Sequence, residues 1–328
     1  MKIEISIEEA KREQQKLGHR GYSGPTLQGE RTVIPFGTKL YPEALIHIPN
    51  PPACLYTIGD PSAMQEGIAV IGARRATPYG LACARHFAGI AAEQGICIIS
   101  GGAYGCDSAA HEAALKHDCQ TVVFLGGGCN QLYPARHAGM FQDIVNAGGV
   151  LVSEHEWDYP CLPHNFRLRN RLIAGLARAT LIVEAGLPSG TFSTADEALA
   201  AGKEVMVVPG AITSPTSAGS NRLLYQGALP IVDDESFKDA LFRLFSCLKL
   251  EDMKSSQGAK KRVPLGNDPL LEALLAQPMR FDQIISTIRP PQSTQDAHTW
   301  LVTRLAELEC SGRICRYPDG RYGPAQIG

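Results

Sequence analysis

Between Gly67 and Leu248 the chain alternates between two kinds of apolar pattern, and this alternation constrains its fold more than any other feature. Short runs rich in β-branched residues occur at "GIAVIG" (67–72), "ICIIS" (96–100), "TVVFLG" (121–126), "VLVS" (150–153), "TLIVEA" (180–185), "EVMVVP" (204–209) and "PIV" (230–232). Helical patterns separate or follow them at Pro78–Glu93, Asp107–His117, Arg136–Ala147, Arg169–Ala177, Thr194–Ala201, Ser220–Gln226 and Glu235–Leu248. Strands that alternate with helices form βαβ units and a mainly parallel sheet. Each run is apolar almost throughout, so both faces of the sheet are expected to be covered. The fold class expected is α/β, with a mainly parallel, doubly wound sheet.

The flanks read differently. Residues 1–35 are weakly patterned, and the proline-rich stretch "YPEALIHIPNPPACLYTIGD" (41–60) suits an ordered extension that wraps a larger body. Residues 249–267 are polar and lack periodicity, as a linker does. From 268 to 328 the pattern gives three helices and then "RICRYPDGRYG", two short strands about a turn, which is a winged-helix order. The chain is thus expected to comprise a short extension (1–40), a large α/β domain (41–248), a linker (249–267) and a small winged-helix domain (268–328). Lys/Arg and Asp/Glu are nearly balanced in the tail, which fits a protein-contact module as well as a duplex reader.

Composition narrows the function. The formal net charge of −2 gives no global positive field, so a nucleic-acid partner must be held by a local patch. No segment reads as a signal peptide or a membrane span. The ten cysteines are scattered without metal-ligand spacing, which suits reduced, mostly buried thiols in a cytoplasmic protein. No metal, no cofactor and no membrane partner is expected.

In a doubly wound sheet, ligands sit beyond the carboxyl ends of the strands. Arg74 lies in the loop after the first run, where Thr77 can cap the next helix. Ser100, Gly101 and Gly102 end the second run, and two adjacent glycines let backbone N–H groups approach an anion. Asp107 or Ser108 can cap the helix that follows, and His111 within it reads as a packing or surface residue. The segment "CLPHNFRLRNRLIAGLARAT" is the densest, with His164, Asn165, Phe166, Arg167, Arg169, Asn170 and Arg171 in close succession. A helix N-terminus disfavours cations, so arginines gathered there require an anion. Cations beside an aromatic ring suit single-stranded nucleic acid. Ser189 and Gly190 form another glycine–hydroxyl turn. There is no Ser–His–Asp order and no carboxylate pair with an arguable environment, so no catalytic set is visible.

The motifs "GARRATPYG", "SGGAYGCDSAAHEAAL", "LGGGCNQLYP", "FRLRNRLIAGLARATLIVEAGLPSGTFSTADEALAAGKEVMVVPG" and "SAGSNRLLYQGA", in that order, closely resemble the DNA-processing protein A family (DprA, or Smf) from about Tyr41 to Ala228. The resemblance implies an extended Rossmann-like fold and non-catalytic, sequence-independent binding of single-stranded DNA. It also implies a homodimer, and a role in natural transformation that protects incoming strands and loads the RecA recombinase. It places the pocket arginine on Arg74, the serine–glycine–glycine turn on Ser100–Gly102, the base-contacting ring on Phe166, and the arginine–asparagine–arginine triplet on Arg169, Asn170 and Arg171. Members usually have proline after the phenylalanine, where this chain has Arg167. A lysine often found just before it is missing, with His164 in that neighbourhood. The family's amino-terminal helical domain is expected to be absent or reduced. The competing reading is an enzyme or sensor for a free nucleotide, like the related phosphoribohydrolases. It would use "PSGTFSTADEAL" as its nucleotide turn and Glu197 as a catalytic acid.

Overall fold

In the computed structural model, residues 24–187, 190–246, 268–288, 296–310, 313–317 and 319–324 are described, and the chain divides into two units, Met1–Lys249 and Leu250–Gly328. The first unit holds a nine-stranded sheet in the order β1-β2-β6-β5-β4-β3-β7-β8-β9. The strands are β1 (Arg31–Pro35), β2 (Cys54–Gly59), β3 (Gly67–Ile71), β4 (Ile98–Ser100), β5 (Thr121–Phe124), β6 (Val150–Ser153), β7 (Ala177–Ile182), β8 (Glu204–Val207) and β9 (Leu229–Pro230). From β3 to β9 all pairings are parallel, whereas β2 runs antiparallel to both β6 and β1. This is an extended Rossmann-like fold with a mainly parallel sheet. The helices are α1 (Glu43–Ile46), α2 (Pro78–Glu93), α3 (Cys106–Lys116), α4 (Ala138–Asn146), α5 (Asn165–Leu176), α6 (Thr191–Ala200), α7 (Ala218–Tyr225) and α8 (Asp234–Phe245).

Each strand serves two cores because successive side chains point to opposite faces. In β3, Ile68 and Val70 pack with Phe87, Ala88 and Ala91 of α2, Ala109 and Ala113 of α3, and Phe237 and Leu241 of α8. Ala69 and Ile71 pack on the other face with Leu172, Ile173 and Leu176 of α5, Ala195 and Ala198 of α6, and Leu223 of α7. A third cluster joins Tyr56 and Ile58 of β2 to Phe141 and Ile144 of α4.

The alternating pattern locates every strand from β3 onward, but it does not announce β1 or β2. The first is an edge strand that carries Arg31 and ends at Pro35, a residue tolerated only where its missing N–H goes unused. The second lies inside the proline-rich extension, so that segment is part of the sheet rather than a wrap around it. Two boundaries also move. Helix α5 begins at Asn165, and β7 follows it directly at Ala177, so the helix-favouring Ala-Arg-Ala sequence is strand by tertiary context. Helix α3 has Gly105 at its N-cap, with Asp107 inside the first turn instead of capping it.

The second unit contains α9 (Pro269–Ala276), α10 (Phe281–Thr287), α11 (Ala297–Cys310) and an antiparallel pair, β10 (Ile314–Arg316) and β11 (Tyr322–Pro324). Leu270, Leu274, Ile284, Leu301, Leu305 and Ile314 form its core. Asp268 caps α9 and also binds Arg304 of α11 at 2.7 Å. The linker range and residues 1–23 lie outside the described residues.

Among the described residues, eight cysteines are free thiols, five of them buried. His111 is wholly buried, with Nδ1 2.7 Å from Thr121 Oγ1. That hydroxyl donates to Ile98 O, so it must accept from the imidazole, and the proton therefore sits on Nδ1. Nε2 has no hydrogen-bond partner among the described residues, and burial drives the ring's pKa down to about 3. The unfolded chain therefore binds this proton at a pH where the native state does not. The stabilisation is full above the ordinary histidine range and is lost as pH falls toward 3, at a cost on the order of a few kcal/mol. Thermal unfolding is expected to show a midpoint that falls between neutral and acid pH, less steeply in His111→Gln than in the native chain.

Candidate nucleic-acid interface

Strands β3 and β7 are neighbours, but the chain proceeds from them in opposite directions across the sheet. The crevice beyond their carboxyl ends is therefore the switch point, where this architecture ordinarily seats a ligand. Here a carboxylate of the protein occupies it. Glu184 follows β7, is 2% exposed, and accepts from Thr77 N at 2.7 Å and from Thr77 Oγ1 at 2.9 Å. Thr77 Oγ1 in turn accepts from Gly80 N, capping α2. A Cβ on Gly80 would stand 2.4 Å from Glu184 Oε2, so the glycine is what lets the carboxylate lie against the helix. At the start of α3, buried Asp107 accepts from Ala103 N at 3.3 Å. Its burial raises the carboxyl pKa, and the Arg169 guanidinium opposes that rise. The positive ends of both helices are thus already matched to negative charge.

The arginines of α5 divide by depth. Arg169 is buried, and its Nη1 donates to Gly101 O at 2.9 Å and to Phe124 O. Burial lowers its pKa to about 10, and Asp107 is the principal group raising it, so the guanidinium stays charged at neutral pH. A Cβ on Gly101 would lie 2.3 Å from this guanidinium, so the second residue of the "SGG" turn must be bare. Arg171 forks onto Glu154 at 2.8 and 2.5 Å and also donates to Asn50 O at 3.1 and 3.2 Å. The anions that cations at a helix start require are therefore found within the protein for Arg169 and Arg171. Ser100 is buried, and its hydroxyl donates to Val70 O at 2.7 Å. Asn170 is buried, and Asn165 is buried with Nδ2 unpaired among the described residues.

A smaller set faces outward. Arg74 is exposed, and its Cζ lies 5.2 Å from the centroid of the Phe166 ring, a cation–π contact. Phe166 rests over Gly126, where a Cβ would meet the ring at 2.7 Å. Tyr133, from the loop after β5, lies 5.2 Å from Phe166, ring centroid to ring centroid, and is 45% exposed. His164 and Arg167 are exposed beside them. The sequence offers Tyr133 only within the motif "LGGGCNQLYP", because nothing local ties position 133 to position 166. Gly190 is the exposed N-cap of α6, Glu197 is half-buried on that helix, and Ser189 lies outside the described residues. Among the described residues, no group of three His, Cys, Asp or Glu can hold a metal, and no helix is long and apolar enough to cross a membrane.

The family model for DNA recombination-mediator protein A matches residues 32–241. The chain belongs to this family. The Smf protein of Escherichia coli K12 is 34% identical over 295 residues, which is 89% of this chain and 77% of that protein. A DprA relative from Mycobacterium tuberculosis is 44% identical over 181 residues, 54% of this chain and 46% of its own length. A solved structure of DNA processing protein A from Helicobacter pylori, described for that protein's single-stranded DNA binding mode, superposes with a TM-score of 0.60. It is 30% identical and the match covers 66% of this chain and 97% of that one.

In this family member the two layers of arginine should separate experimentally. Arg171→Ala leaves Glu154 charged and largely buried, and is expected to cost on the order of 2 kcal/mol or more in chemical denaturation. Arg74→Ala removes an exposed side chain and is expected to change stability by no more than about 0.5 kcal/mol. Equal destabilisation by the two variants would contradict the division.

Proposed function

We propose that the chain is a non-catalytic DNA-processing protein that binds single-stranded DNA, without sequence preference, along the carboxyl edge of its sheet. The observation that carries this reading is the Arg74–Phe166–Tyr133 group, in which exposed Arg74 and Tyr133 flank the half-buried ring of Phe166. A guanidinium for phosphate beside rings for bases is the recipe for single strands, and every base presents a face to stack. Arg167 extends the cationic rim, and His164 stands in the neighbourhood where relatives often carry lysine. Arg169, Asn170, Arg171, Ser100, Gly101, Gly102 and Thr77 serve this surface from beneath by fixing the strand ends and helix starts. Ser189 and Gly190 are proposed to contact the strand as well. The name of the Helicobacter pylori relative points to the same ligand.

With this reading go a role in natural transformation and recombination, transfer of the strand to RecA, a homodimer and a cytoplasmic location. A free nucleotide fits less well. Its phosphate would have to displace Glu184 from two donors, and that carboxylate is buried at the switch point.

Binding to oligonucleotides of unrelated sequence is expected to be similar and to weaken as salt rises, because phosphate contacts release counterions. Phe166→Ala is expected to lose about 1–3 kcal/mol of binding to every sequence. Arg74→Ala is expected to lower both affinity and the salt slope. Fluorescence anisotropy over a salt series reads all three, and unchanged affinity and slope in both variants would overturn the site. Release of base from nucleoside monophosphates, abolished in Glu197→Gln, would favour the enzyme instead.

A further inference from the structure

The loop that supplies Tyr133 continues through Pro134 into a single 3-10 turn, Ala135–His137, and ends against the turn after β4. There His137 Nδ1 donates to Gly102 O at 3.0 Å. The imidazole meets Tyr104 edge-on, with centroids 4.7 Å apart and planes at 78°, and it also meets Phe141 edge-on at 6.0 Å. Tyr104 is 42% exposed. It stands between Gly102 and Gly105, both at positive φ, and the Cβ that an alanine would place at Gly105 falls 2.2 Å from Ala73 O. The backbone under Tyr104 is therefore held in a shape that only glycines on either side permit. Its ring belongs to none of the hydrophobic clusters, so packing does not account for a large aromatic side chain there.

One loop thus joins two aromatic pairs at the same edge of the sheet: Tyr133 with Phe166 at its start, and His137 with Tyr104 at its end. Arg136, which is exposed, lies between Tyr133 and His137 in the sequence. We propose that Tyr104 and His137 form a second base-stacking position for single-stranded nucleic acid, and that Arg136 meets the phosphate between the two positions. This rests on the single-strand reading of the Phe166 group. An aromatic ring that is fixed from one side and open on the other offers a stacking face at little cost in side-chain entropy. The imidazole Nδ1–H is already committed to Gly102 O, so the histidine's part is to hold the tyrosine ring.

The test uses the full chain and oligothymidylates of increasing length. Native affinity is expected to rise once the strand is long enough to reach the second position. Tyr104→Ala should bind the shortest ligands like the native chain and should lack that rise, by about fivefold or more. Tyr104→Phe should restore it, and Arg136→Ala should reduce both the rise and the salt dependence. Iodouracil placed along the strand should crosslink to Tyr104 from a different nucleotide than the one that reaches Phe166. The proposal is overturned if Tyr104→Ala follows the native chain at every length while Phe166→Ala loses affinity, or if no crosslink reaches Tyr104. A native chain that binds no single strand at all would overturn the reading beneath it as well.

Discussion

The buried guanidinium of Arg169 is the interaction on which the rest of the site depends. It ties α5 to the carbonyls at the ends of β4 and β5, and the carboxylate of Asp107 in α3 offsets its charge. A cation without such partners at that depth would cost several kcal/mol, so the three elements have to meet in one arrangement. Phe166 stands three residues earlier on the same helix, a spacing that places the two side chains as neighbours along one face. Fixing Arg169 against the strand ends therefore also seats Phe166 over Gly126, with its ring in reach of Arg74 and Tyr133. Gly101 has no side chain for the same reason, since any would meet the guanidinium.

This arrangement sorts charge by depth. Carboxylates from Glu184 and Asp107 satisfy the helix starts that a free nucleotide would otherwise use, and Glu154 satisfies Arg171. Arg74 stays at the surface, where it stands over the half-buried ring of Phe166, itself packed against the exposed ring of Tyr133. A protein with a net charge of −2 can in this way hold a polyanion locally without a global positive field. The edge looks like a seat for mononucleotides in its glycine turns, but its open valences suit a strand that passes over it.

The alternation of apolar runs and helical patterns made the parallel part of the sheet legible, because both periodicities are local. The same locality left β1 and β2 unread, since an edge strand with arginine and proline, and an antiparallel strand among prolines, carry no βαβ rhythm. Family motifs brought Arg74 and Phe166 to one edge, but spacing along the chain could not assign depth. Arg169 and Arg171 find partners at positions 101, 124, 154 and 50, all remote in the sequence, and Tyr133 finds Phe166 across thirty-odd residues. Depth and pairing of this kind are products of tertiary packing, which local patterns do not encode.

The central claim is that bases, as well as phosphates, are held at this edge. The most direct measurement compares the affinity of the full chain for an oligothymidylate and for an abasic strand of equal length and phosphate count, at one salt concentration. The account predicts that the intact strand binds about tenfold tighter or more, because the rings lose their stacking partners when bases are removed. Equal affinity for the two strands would contradict it and reduce the edge to an electrostatic surface.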